Sequence, residues 1–327
     1  MSAELIFILL LVVLANLVEA SDNQLIKRNF PWLLFVLNFP LLLFAVVIIF
    51  IPDDALAPVL EGSGLTTALF HQQGVNFLWL GLMGALFSFP LTRQLLARVT
   101  KLDPDNNVHA LATMLGGYLI GLSIASLALG GLEALADLEL SQNIWMVLFQ
   151  QGLFFALGIF GPGFLVRRNW TALRHRLGLT PLTQRQVLQA IAWIAPLVAL
   201  QWAAGAIWLL LAPDQVELFD SVQGTLLADI DSIWEWVLLA VATGIGEEIL
   251  FRGAIQPRFG LWPTVILFTI AHTQYALSPA TVVIALLAYI LGRLRQQHGT
   301  SMTILVHGGY NLALGLIALL VQSLGLS

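Results

Sequence analysis

The chain has 327 residues, 58% of them hydrophobic and 10% charged, with a mean hydropathy of +0.87 and a formal net charge of −5. An ordinary soluble domain carries about 25% charged residues, so this composition excludes one, and the acidic balance weighs against nucleic acid as a partner. The absence of cysteine excludes disulfides and thiolate metal sites.

A spanning helix needs about 20 mainly apolar residues. Candidate spans fall at about 4–20, 31–51, 71–91, 108–131, 144–165, 190–212, 233–251, 261–277, 279–292 and 301–322. They predict an all-α, polytopic transmembrane bundle of about ten spanning helices, eight at the lower end. The pair that sets this range is 261–277 and 279–292, separated only by Ser278-Pro279, where Ser caps and Pro opens a helix.

The first span resembles a signal peptide at Val18-Glu19-Ala20. However, Glu4 precedes its apolar run and Lys27-Arg28 follow it, the reverse of a signal peptide. An uncleaved helix is expected. Every Lys and Arg lies in alternate loops: Lys27 and Arg28; Arg93, Arg98 and Lys101; Arg167, Arg168, Arg174, Arg176 and Arg185; Arg252 and Arg258; Arg293 and Arg295. The loops between are acidic, with Asp53, Asp54 and Glu61; Glu133, Asp137 and Glu139; and Asp214, Glu217, Asp220, Asp229 and Asp231. The positive-inside rule makes the basic loops cytoplasmic and both termini non-cytoplasmic, as in a multi-pass protein of the plasma (inner) membrane.

In chain order, Asn38 and Pro40 predict a kink in the second span. His71, Gln72 and Gln73 read as an interfacial hydrogen-bonding cluster. Gly116, Gly117, Gly121, Gly130 and Gly131 allow close helix approach, and Gln150 and Gln151 read as interhelical hydrogen-bonding partners. The basic segment 166–188 is either a surface helix attracted to anionic lipid or a solvated loop. It separates an N-terminal half, 1–189, of unassigned role from a C-terminal half, 190–327. Trp234 and Trp236 read as interfacial anchors of the seventh span.

Three polar sets interrupt the apolar spans of the C-terminal half. In Glu247-Glu248-x-x-x-Arg252, residues four apart share a helix face, so Glu248 and Arg252 can pair while Glu247 points about 100° away. Phe268-x-x-x-His272 lies on the next span. In His307-Gly308-Gly309-Tyr310-Asn311, His307 and Asn311 share a face. Charges at mid-bilayer cost roughly 2.5–3.5 kcal/mol each, which argues for a use. Helix rise puts Glu247, His272, His307 and Asn311 roughly 8–16 Å from the cytoplasmic ends of their spans.

These groups have hydrolytic chemistry. Glu247 with a neutral imidazole can polarise a water, and a second imidazole with a carboxamide can donate to an oxyanion. Alternatively, Glu247, His272 and His307 are ligands of a Zn²⁺ whose bound water is the nucleophile. Zn²⁺ and no cofactor both stay open.

The three sets, in this order on successive spans, resemble the motifs of the CPBP family. That family contains type II CAAX prenyl endopeptidases and bacteriocin-processing or self-immunity membrane proteases. The resemblance implies an intramembrane endopeptidase cutting near the cytoplasmic face. It assigns water activation to Glu247 and His272, the oxyanion to His307 and Asn311, and support to Glu248, Arg252 and Phe268. The expected partners are the lipid bilayer and a peptide or protein substrate reached from the membrane or the cytoplasm. The other readings are a non-catalytic immunity or scaffold relative and a proton-coupled transporter. The transporter reading lacks the paired broken helices common in such folds.

Overall fold

The computed structural model describes residues 2–63, 66–137, 141–276 and 278–325, and these are helical with short connections. Glu139, expected in an acidic loop, lies outside the described residues, as do the side chains of Glu4 and Asp137. The elements are α1 (Ser2–Ala20), α2 (Gln24–Val36), α3 (Phe39–Phe50), α4 (Asp53–Leu60), α5 (Thr67–Ser88), α6 (Pro90–Ala97), α7 (Asn107–Ala128), α8 (Leu132–Asp137) and α9 (Ile144–Phe160). They continue with α10 (Trp170–Leu177), α11 (Gln184–Leu211), α12 (Pro213–Leu227), α13 (Ile233–Glu247), a π-helix (Glu248–Ile255), α14 (Gln256–Phe259), α15 (Leu261–Ile270), a 3₁₀ turn (Thr273–Tyr275), α16 (Pro279–His298) and α17 (Thr300–Ser323).

Among the described residues, four helices are long and apolar enough to cross a membrane: Gln24–Phe50 taken as one, α7, α11 and α17. The pair α5 and α6, bent by 65°, makes a fifth. The expectation of about ten spans is therefore not met at this length. Several apolar runs are cut short: α9 has 17 residues, α15 has 10, and the run at 233–251 changes helix type after Glu247. An apolar run need not be one continuous helix where buried polar groups and neighbouring helices satisfy a broken backbone.

The chain divides into two compact units, Leu17–Gly131 and Met1–Asn16 with Leu132–Ser327. The expected boundary after residue 189 falls inside the latter, within α11.

In Leu17–Gly131, α5 packs against α3 and α7. Gly117 and Gly121 make this approach possible, because a Cβ would lie 2.6 Å from the Met83 carbonyl oxygen and 2.5 Å from that of Trp79. The break between α2 and α3 falls at Asn38, whose Nδ2 donates to Leu34 O at 2.8 Å, with Pro40 opening α3. His71 bonds Ile48 O at 2.7 Å through Nδ1 and Asp53 Oδ1 at 2.9 Å through Nε2.

In the other unit, α13 lies against α9 and α17, α17 lies against α11, and α15 packs on α16. α13 starts with a capping box: Ser232 Oγ accepts from Glu235 N, and Glu235 Oε2 accepts from Ser232 N. Trp234 is exposed, as an interfacial anchor is, whereas Trp236 packs over Gly315 of α17. The basic segment 166–188 folds partly as α10. Its Leu173 and Leu177 are completely buried with Ile159 and Ile249, so this helix packs on the protein rather than lying free. Pro279 opens α16 as expected. Phe50, Trp145, Leu210 and Leu211 are more than 70% exposed, an outward apolar surface suited to lipid.

Candidate active site

The Gly244–Arg252 stretch straddles the junction of α13 and the π-helix. Pro257 has no N–H to offer the carbonyl of Gly253 or Arg252. Side chains supply the donors instead. Arg295 Nε donates to Arg252 O at 3.0 Å, and the two Nη atoms of Arg176 donate to Gly253 O and Ala254 O at 2.9 and 3.1 Å. Burial, and then Arg258, Arg168 and Arg295 nearby, push the Arg176 guanidinium down to about 10. A π-helix inside an α-helical run is frequent at functional sites.

The two adjacent carboxylates have different surroundings. Glu248 is completely buried; its Oε1 lies 3.3 Å from Arg252 Nη1 and 2.9 Å from His307 Nδ1. Arg252 also donates Nη2 to Ala288 O at 3.3 Å, and its guanidinium carbon stands 4.2 Å from the centroid of the Phe268 ring. Such a buried pair is costly to break from one side, on the order of 3–5 kcal/mol. Glu247 has no cation of its own. Its Oε1 accepts from Gln151 Nε2 of α9 at 3.1 Å. Its Oε2 is buried without a hydrogen-bond partner, 3.8 Å from His272 Nε2 and 4.0 Å from His307 Nε2.

His272 does not lie within a helix, contrary to the expectation for the span at 261–277. α15 stops at Ile270, and His272 adopts φ −95°, ψ 56° before the 3₁₀ turn. Ala276 then takes a positive φ, 47° with ψ −143°, which is rare outside glycine. The His272 side chain helps terminate α15: its Nδ1 lies 2.8 Å from Phe268 O, a carbonyl the ending helix leaves open. The Phe-x-x-x-His spacing therefore serves backbone capping. It also sets the Phe268 ring 4.6 Å from the imidazole, tilted by 39°. The Tyr275 ring lies nearly parallel to that imidazole, 6.0 Å away.

Both imidazoles are oriented alike. Each Nδ1 faces an oxygen acceptor, Phe268 O or Glu248 Oε1, and so carries the proton, leaving Nε2 of each neutral ring as a lone pair directed at Glu247 Oε2. With Nδ1 facing Glu248, His307 can donate from Nε2 only as an imidazolium.

Asn311, one turn beyond His307, donates Nδ2 to Thr243 Oγ1 at 2.8 Å. α17 reaches this position because glycines meet there: a Cβ on Gly244 would lie 3.0 Å from Gly308 Cα. The fold thus gathers Glu247, Glu248, Arg252, Phe268, His272 and His307 around one buried centre, with Asn311 held beside it by Thr243. Gln151, read from sequence only as an interhelical partner, and Thr243, not singled out, complete the group. Neither carries a local signal. Gln151 is 96 residues from Glu247, and only the packing of α9 on α13 brings them together.

For a metal ion, the donor types fit. Glu247 Oε2, His272 Nε2 and His307 Nε2 face one another, and each imidazole gives its other N–H to an acceptor, as metal-binding histidines do. A tetrahedral zinc with bonds near 2.1 Å sets such donors roughly 3.3 Å apart. Their separations here are wider, and among the described residues no such trio is close enough to hold an ion as it stands.

Residues 229–313 match the family model described as type II CAAX prenyl endopeptidase Rce1-like. This C-terminal segment is similar to that family. The Rce1-like segment covers about a quarter of the chain and includes every residue of the three motifs. It supports a protease, hence a hydrolase, of the CPBP family, and the helices able to span a bilayer fit an integral membrane protein. No curated protein and no solved structure matches the chain.

Proposed function

We propose that the protein is an intramembrane endopeptidase that uses Glu247 to activate water. The observation that carries this reading is Glu247 Oε2, a buried carboxylate oxygen with no hydrogen-bond partner, 3.8 and 4.0 Å from two imidazole nitrogens. Those separations are too long for direct hydrogen bonds and suit one shared oxygen atom between them.

A water held between Glu247 Oε2 and His272 Nε2 gives a proton to Glu247 as its oxygen attacks the peptide carbonyl. The carbonyl electrons move onto oxygen, which His307, protonated at Nε2, and the Asn311 amide stabilise by donation. Glu247 then delivers the proton to the leaving nitrogen as the C–N bond breaks. Glu248, Arg252 and Phe268 hold His307 and His272 in place. A bound Zn²⁺ would be held by Glu247, His272 and His307 and would supply Lewis-acid chemistry. The motifs lie on the cytoplasmic side of their spans, with both termini non-cytoplasmic and the protein in the plasma membrane. The substrate is a protein or peptide of CAAX-type or leader-peptide character, entering from the membrane or the cytoplasm. The N-terminal spans up to residue 189 carry none of the three motifs.

Quantitative proteomics of membranes containing the wild type or Glu247→Gln tests the reading and finds the substrate. Protein termini generated by the wild type should vanish in the variant, with equal amounts of each protein inserted. Identical termini in both would overturn it, and destabilisation by Glu247→Gln without any lost cleavage would favour a non-catalytic relative. Metal analysis of active protein, with chelator inhibition, decides between metal-bound and metal-free water.

A further inference from the structure

Beyond the Rce1-like segment, one side chain touches the proposed base. Gln151, on α9, is 5% exposed and donates Nε2 to Glu247 Oε1 at 3.1 Å. We infer that Gln151 is a positioning residue of the active site, clamping one oxygen of Glu247 so that the other alone faces His272 and His307. The inference rests on the endopeptidase reading above.

Three observations support it. First, a free carboxylate turns about its terminal bond, and its two oxygens are equivalent until something distinguishes them. Here the donor is on Oε1, and Oε2 is the oxygen left without a partner. Second, the donor is neutral. A cation at this place would tie up the carboxylate as Arg252 ties up Glu248, whereas an amide orients Glu247 and leaves its charge for the water. Nor is the amide placed to satisfy itself, because Gln151 Oε1 is buried with no hydrogen-bond partner, an arrangement costly in a purely structural glutamine.

Third, the surrounding chain makes room for the clamp. Gly246 precedes Glu247, and a Cβ there would stand 2.6 Å from both Gln151 O and Gln151 Oε1. Further along α9, Phe154 meets Phe251 edge-on at 6.1 Å, and a Cβ on Gly158 would lie 2.7 Å from Ile249 Cγ2. Gln151, Phe154 and Gly158 follow i, i+3, i+7 spacing, one face of α9 seated along the α13 and π-helix junction. The N-terminal half thereby contributes to the site, because its α9 completes a group whose motifs all lie in the C-terminal half.

The test measures cleavage of a peptide that the wild type processes, using full-length protein in proteoliposomes. Gln151→Met keeps the length of the side chain and removes the amide, its Nε2 donor together with the unpartnered Oε1. Its kcat should fall about tenfold to hundredfold, as misplacement of a reacting group by about an ångström does, with KM and melting temperature close to wild type. Gln151→Asn, which keeps the amide but withdraws it by one methylene, should fall between Gln151→Met and the wild type. An unchanged kcat in folded Gln151→Met overturns the inference. Loss of folded protein in both variants also overturns it, in favour of a packing role. Glu247→Gln is measured alongside: if it stays active, the endopeptidase reading itself fails, whereas an inactive Glu247→Gln beside a fully active Gln151→Met removes only the clamp.

Discussion

Three histidines separate the two units of this protein. His71, in Leu17–Gly131, has both ring nitrogens engaged, by Ile48 O and by Asp53. His272 and His307, in the other unit, have Nδ1 engaged and Nε2 turned toward the unpartnered oxygen of Glu247. An imidazole with both nitrogens bonded is a structural connector. Two imidazoles with one nitrogen each held back, facing a carboxylate with one oxygen held back, form a place where a polar atom from outside the protein can be received. Burial alone does not make that distinction; the count of unused donors and acceptors does.

One substitution at all three positions should expose the difference, because the asparagine amide can replace Nδ1 and cannot replace Nε2. His272→Asn and His307→Asn should lower cleavage by about 10²–10⁴-fold, the range for a general acid–base group. Each should shift stability by less than about 1 kcal/mol, read as thermal unfolding in detergent. Activity near wild type in either variant would remove that imidazole from the chemistry.

The next largest effect belongs to the structural carboxylate. Glu248→Ala strands Arg252 in a fully buried position and should cost about 3–5 kcal/mol, seen as a large fall in melting temperature. Glu247→Ala should cost much less, since no cation depends on it. Equal destabilisation by the two would erase the division of labour between the adjacent carboxylates.

Arg176→Ala removes both donors from the Gly253 and Ala254 carbonyls and should destabilise by roughly 1.5–3 kcal/mol, with faster hydrogen exchange at the π-helix. The sign of its charge effect is opposite. Its proton affinity is lowered in the fold, so charging it opposes folding, and that opposition fades only as pH rises from about 10 toward the ordinary arginine value. Arg258→Gln should therefore stabilise slightly at neutral pH. Smallest of all, His71→Asn should cost no more than about 1 kcal/mol, because Asp53 is exposed, and should leave cleavage untouched.

Much of this was legible in the residues. The Glu248–Arg252 pair follows from i, i+4 spacing, the break near Asn38 from its polar side chain and Pro40, and the start of α16 from Pro279. Each depends on neighbours a few positions away. The continuity of the spans was less legible, because hydropathy records how greasy a run is and not where its backbone must bend. At residues 271–276 the helix yields to a turn that stacks Tyr275 on His272, and nothing in the apolar pattern announces it.

What the sequence determined by itself is the chemical inventory: a greasy helical chain, two carboxylates with one arginine a turn beyond them, two histidines and an asparagine at helical spacing. These are properties of residue type and local periodicity. Only the tertiary structure decided which carboxylate oxygen is left unpaired, which nitrogen of each imidazole faces it, and that a glutamine 96 residues away holds the other oxygen. Those outcomes depend on helices approaching closely enough for single atoms to compete for one hydrogen bond, a condition that no stretch of the chain contains alone.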